Sequence, residues 1–302
     1  YKTALMDLSA RRANLAANKT TPLAMARAIA CLGGMLDTYY ETYVPAPGMP
    51  WSELHRLYWY AAKLQVHGAT LAENDSESVN ASYTQVLLLA LADPYRLSQA
   101  QLALAKVYLA QFGRQALLQP MGPTENKHGL FLVRLDGDKP PKALMHYQGV
   151  TDARTDIILN TIPLARLAHQ HVQELEAGAT PAKLGLPQAA SVSVLRDLLK
   201  RLIKQWGVAP KRLFNRTDAR VEARICIGIS ALHHILSEDS ATGVNARPSH
   251  EQDAMEVSDV LHATGNKSTF NCARWAVLNE SAGGVSLGKD SGSYGKIKVG
   301  DV

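Results

Sequence analysis

The apolar residues of this chain change their spacing partway along it, and that change limits the folds it can adopt. Over residues 1–117 they recur at steps of three and four, as in "ALMDLSARRANLAANK", "TPLAMARAIACLGGMLDTYYETY", "WSELHRLYWYAAKLQV", "SVNASYTQVLLLALADP" and "LSQAQLALAKVYLAQFGRQALL". Such steps gather the apolar side chains into one stripe per helix. Thr21-Pro22 supplies a cap and a first-turn proline, Asp93-Pro94 ends one helix, and Ser98 caps the next. "VPAPGMP" interrupts the pattern, because its prolines and glycine cannot continue a helix. Helices on short links predict a bundle or an α-solenoid-like array over 1–117.

From residue 118 the pattern is mixed. "HGLFLVRLDGDKPPKALMHY" reads as two strands around a Gly/Asp/Pro turn, and "TDARTDIILNTIPLARLAHQHVQELEAG" as a strand or short loop and then a helix. In "SVSVLRDLLKRLIKQWGV", Val194, Leu195, Leu198, Leu199, Leu202 and Ile203 make an amphipathic stripe that Gly207 closes. Residues 118–207 form a mixed α/β section ending in this connecting helix.

From about residue 208 the period becomes two. In "VEARICIGI" the odd positions Val221, Ala223, Ile225, Ile227 and Ile229 are small or apolar, as in a half-buried strand. Strand character returns in "CARWAVLNESAGGVSL", interrupted by a turn, and in "YGKIKVGDV". The whole reads as α+β, divided at 1–117, 118–207 and 208–302.

Bulk properties bound the function. At 302 residues, 46% hydrophobic and 20% charged, the chain is a soluble globular protein rather than a disordered or collagen-like one. No apolar run approaches the roughly 20 residues that cross a bilayer. The net charge of +5 is spread without a polybasic block. It permits an anionic ligand and gives nucleic acid little support, since no strand face is rich in aromatics. Cys31, Cys226 and Cys272 lack paired spacing, which predicts free thiols and a cytoplasmic setting. The chain opens at Tyr1 without an initiator Met, as a piece of a longer protein would.

Two short stretches carry the chemistry. "NRTDARVEARICIGI" sets Arg216 and Arg220 four apart at the start of a strand, and "NESAGG" (279–284) follows the strand "RWAVL". Two arginines on such a tether have Cα atoms at most roughly 13 Å apart. Each can pair with phosphate oxygens or with guanine O6 and N7. Asn279 offers a donor and an acceptor, Ser281 a hydroxyl, and Gly284 room for close approach. Alone, each stretch is also an ordinary strand start or turn.

Together, Arg-x-x-x-Arg before a strand and Asn-x-Ser-x-x-Gly after a later one resemble the PilZ domain family, over about residues 212–302. The resemblance implies a C-terminal antiparallel PilZ-like β-barrel that binds cyclic di-GMP through Arg216, Arg220, Asn279, Ser281 and Gly284. It also implies an insertion near 236–270, since 221–278 is long for one barrel, and barrel-closing strands beyond "KVGDV" or supplied by another element. The expected protein is a receptor in bacterial signalling, tied to motility or biofilm, whose helical N-terminal region meets a protein partner. The alternative is a helical scaffold whose barrel binds no nucleotide.

Other candidates are weaker. His233, His234, His250 and His262 fit no zinc spacing, and "DGDKPP" fits no calcium loop, so neither metal nor cofactor is expected. "TDARTD" (151–156) repeats part of "RTDAR", with Arg154 before "TDIIL", which offers a second, degenerate ligand-binding module against the plainer reading of an ordinary loop. No Gly-rich phosphate loop, nucleophile elbow or acid–base pair points to an enzyme.

Overall fold

The computed structural model describes Thr3 and residues 20–71, 78–187, 191–207, 217–226, 272–281 and 284–288. It forms two compact units, Tyr1–Lys211 and Arg212–Val302.

In the first unit, α1 (Thr20–Glu41), α2 (Gly48–Lys63), α3 (Val79–Leu91) and α4 (Gln99–Phe112) follow the predicted periodicity. The segment "ALMDLSARRANLAANK" lies outside the described residues. Ser98 caps α4 with a full capping box, its side chain accepting from the Gln101 N–H while the Gln101 side chain accepts from the Ser98 N–H. Ser78 caps α3 by accepting from the Ala81 N–H at 3.0 Å. The break at "VPAPGMP" is shorter than expected. α2 begins at Gly48 and includes Pro50, since a proline is tolerated in a first turn whose N–H groups lack helical partners anyway.

The middle section is a four-stranded antiparallel sheet followed by two helices. Its strands are β1 (Leu117–Pro120), β2 (Leu130–Arg134), β3 (Lys142–Ala143) and β4 (Asp156–Asn160), in the order β1-β4-β2-β3. β1 continues an apolar run that reads as the end of a helix, so the helical region stops slightly earlier than the sequence indicates. The run "LFLV" in β2 is buried on both faces. Phe131 and Val133, with Leu159 of β4, join the main core, while Leu130, Leu132 and Ile158 form a second cluster with Leu144.

Two helices complete this unit, α5 (Ile162–Glu176) and α6 (Val192–Gly207). Leu195, Leu198, Leu199 and Leu202 of the predicted stripe are buried, whereas Val194 is exposed and Trp206 is fully buried instead. Trp206 stacks near Tyr108 of α4 and donates its indole N–H to the Leu88 carbonyl of α3 at 3.3 Å. His55 of α2 ties the helices to the sheet. Its Nε2 lies 2.9 Å from the Lys139 carbonyl and its Nδ1 lies 2.6 Å from the Tyr83 hydroxyl. A carbonyl only accepts, so the proton sits on Nε2 and the Tyr83 hydroxyl donates to Nδ1.

In the second unit, β5 (Thr217–Cys226), β6 (Cys272–Ser281) and β7 (Gly284–Gly288) form an antiparallel sheet in that order. The described strands make an open three-stranded sheet and not a closed barrel, which takes more strands than three. Val221, expected on a buried face, is 58% exposed, whereas Val277 opposite it is 7% exposed. The difference follows from position: among the described residues β5 is the outer strand and β6 the central one. The predicted insertion near 236–270, the four histidines weighed as metal ligands and "YGKIKVGDV" lie outside the described residues.

Candidate functional site

The β5–β6 ladder brings the two motif stretches together. Thr217 stands opposite Glu280 and Asp218 opposite Asn279, so the strand carrying Arg220 runs against the strand end carrying Asn279 and Ser281. Directly opposed antiparallel residues have Cβ atoms about 5 Å apart. The register slips between Asp218 and Val221, which puts Ala219 and Arg220 in an irregular stretch of β5. A bulge of this kind re-aims side chains at a strand end. Arg216 lies outside the described residues, and Arg220 is placed by its backbone in β5.

Asn279 and Ser281 are not in a turn. Both belong to β6, which runs to Ser281, three residues past the predicted strand end "RWAVL", and both are half-buried. Ser281 pairs with Gly284, leaving residues 282 and 283 to join β6 and β7. The Ser281 hydroxyl donates to the Gly284 carbonyl at 3.2 Å. Gly284 has φ +141°, and a Cβ there would meet nothing within 4 Å. Its conformation therefore favours glycine through the backbone, and the space beside it is open. Asn279 also registers with Ser286 of β7, so it holds the middle of the three strands.

This arrangement presents an amide and a hydroxyl on one strand end, an open glycine beside them, and an arginine-bearing segment on the neighbouring strand. Such groups can grip an anionic ligand with polar planar edges. "TDARTD", by contrast, is self-contained. Arg154 pairs with the Asp152 carboxylate at 3.1 Å, and the Asp152 N–H donates to Asp156 at 2.8 Å. That mutual engagement holds Asp152 below the usual carboxylate range, chiefly through the Arg154 hydrogen bond. Among the described residues, no group of three His, Cys, Asp or Glu side chains could hold a metal ion. No helix among them is long and apolar enough to cross a membrane.

One polar cluster escaped sequence reading. Asn126, His128, Arg166, His169, Gln170 and Gln173 line a groove in the first unit. Polar residues on a helix face ordinarily signal only a solvated surface, so no sequence pattern singles these out.

Comparison with known proteins fits these observations. Residues 1–124 match the family described as "Cyclic-di-GMP receptor FimW, N-terminal domain", and residues 130–269 match "Cyclic-di-GMP receptor FimW, middle PilZ domain". The chain is also 29% identical over 216 residues to the "Cyclic-di-GMP receptor FimW" of Pseudomonas aeruginosa, covering 70% of this chain and 34% of that protein. It thus spans about a third of that relative's length. No solved structure matches it.

The PilZ match corrects the extent of the resemblance. It begins at Leu130, the first residue of β2, and is not confined to the C-terminal third. Arg216 and Arg220 fall within it, while Asn279, Ser281 and Gly284 follow its end at residue 269. The helical region, too, is similar to a described domain, the N-terminal one of the same family. The two matches succeed one another along most of the chain, so both of its regions are similar to the PilZ-containing FimW family.

Proposed function

We propose that this chain is a non-enzymatic receptor for cyclic di-GMP. Arg216 and Arg220 hold phosphate oxygens or a guanine edge, Asn279 and Ser281 hydrogen-bond a second edge, and Gly284 admits a base to the backbone. The observation that carries the reading is the β5–β6 register, which sets Asp218 opposite Asn279 although the two are far apart in sequence. The family matches support the choice of ligand, since the relative that the chain resembles is named as a receptor for it.

In this reading the second unit completes a closed barrel, and the helical region meets a cytoplasmic protein partner in bacterial signalling linked to motility or biofilm. The nucleotide signals only if it binds one arrangement of the Arg216–Arg220 segment better than another. Selectivity tests the proposal. Unlabelled cyclic di-GMP should displace a fluorescent analogue from the protein, and GTP at the same concentration should not. Equal displacement by GTP, or equal affinity in the Arg216→Ala/Arg220→Ala variant, counts against it.

A further inference from the structure

The first unit carries a second candidate site, independent of the cyclic di-GMP reading. A groove of about 600 Å³ opens beside the first three turns of α5. Sites for small molecules commonly enclose about 300–1,000 Å³. Arg166, His169, Gln170 and Gln173 of α5 line it, with Asn126 and His128 from the loop before β2 and Gly207 at the end of α6. Ile162 and Ala165 give it an apolar floor.

The walls are fastened to one another at Thr161, which is fully buried. Its N–H and hydroxyl both reach the Gly129 carbonyl at 2.9 Å, and its hydroxyl also approaches the Trp206 carbonyl. The loop is set further by the His128 N–H, which donates to the Asn126 side-chain oxygen at 2.9 Å. Gly129 has φ +66°, and a Cβ there would come within 2.7 Å of Ile162. The loop therefore reaches α5 through a position that favours glycine.

The exposed groups are mostly donors. Arg166 has no ion-pair or hydrogen-bond partner among the described residues, so its planar fork of N–H groups is available. Gln173 donates to His169 Nε2 at 3.3 Å, which leaves the neutral ring's proton on Nδ1. With its oxygen taken by His128, Asn126 has its amide N–H groups to offer. Among the described residues, no carboxylate lines the groove. The nearest acids on α5 are both paired: Glu174 accepts from Gln170, itself a lining residue, at 2.9 Å, and Glu176 pairs with Lys200 at 2.7 Å. Glu125 lies in the loop but not in the lining.

We propose that this groove binds a small phosphorylated molecule, its phosphate held by Arg166, His169 and His128 and its organic body resting on Ile162 and Ala165. A dianionic phosphate supplies several acceptor oxygens to a donor-rich wall, and arginine pairs with it in bidentate fashion.

Pyrophosphate and 5′-GMP serve as probes, added separately to the full chain carrying isotope-labelled histidine and followed by NMR. We expect saturable shifts of the His128 and His169 ring signals with at least one probe, about tenfold weaker or more in Arg166→Ala. Arg166 is exposed and has no partner among the described residues, so that variant should keep the wild-type melting temperature. The Arg216→Ala/Arg220→Ala variant should keep the wild-type ring response, which separates this groove from the other site. Silence of both rings toward both probes overturns the proposal. So does a response unchanged in Arg166→Ala, or one lost with Arg216 and Arg220.

Discussion

At the scale of single residues, His55 and Arg220 make the sharpest claims. Burial, the largest cause, pushes the His55 imidazole below its ordinary value, and the Lys139 carbonyl with Asp136 and Asp138 opposes this in part. A lowered folded-state value means that the unfolded chain takes up the proton first. The stability supplied by neutral His55 is then whole above about pH 6.5 and is lost as pH falls below that. His171, lowered chiefly by its own burial, contributes with the same sign. Melting temperature should therefore drop between pH 7.5 and 5.5, and His55→Gln should flatten part of that slope. An identical slope in the variant would assign the pH dependence to other groups. Arg220→Ala should weaken cyclic di-GMP binding by about 1.5–3 kcal/mol, at least tenfold, and leave the melting of the first unit unchanged. Equilibrium dialysis alongside thermal unfolding reads both.

At the scale of elements, packing decides the cost of change. Trp206→Ala removes the largest fully buried side chain and its hydrogen bond to Leu88, so urea unfolding should show a loss of about 3–5 kcal/mol. A loss below 1 kcal/mol would mean that α6 is not anchored there. Sequence made the helices legible because their apolar residues keep a helical period and a cap such as Ser98 uses recognisable chemistry. It missed Trp206, one turn past the stripe that ends at Ile203. It missed β1, whose "LL" prolongs the apolar pattern of α4. The end of β6 was hidden for a different reason. Asn, Glu and Ser resemble turn residues, and only pairing with β5 and β7 keeps them extended. For the same reason the candidate site was legible as residue types but not as geometry. The spacing of Arg216 and Arg220 is local, whereas the ladder that sets Asp218 against Asn279 is a long-range pairing. The α5 groove left no trace at all, because Asn126 and His128 meet Arg166 and His169 only through the tertiary fold.

At the scale of the whole molecule, the chain divides after Lys211, and the PilZ match runs across that division. The first unit holds a continuous core from α1 through α6, built of residues from both family matches. Residues 1–211 alone should therefore unfold cooperatively with helical circular dichroism. The same fragment should not bind cyclic di-GMP, since it lacks Arg216, Arg220, Asn279 and Ser281. The central claim, that the β5–β6 strand ends form a nucleotide site, is tested most directly by calorimetric titration of the full chain with cyclic di-GMP, beside the Arg216→Ala/Arg220→Ala variant. The account predicts micromolar or tighter binding that the variant loses. A folded chain that takes up no cyclic di-GMP, or a variant that binds as tightly as the wild type, would contradict it.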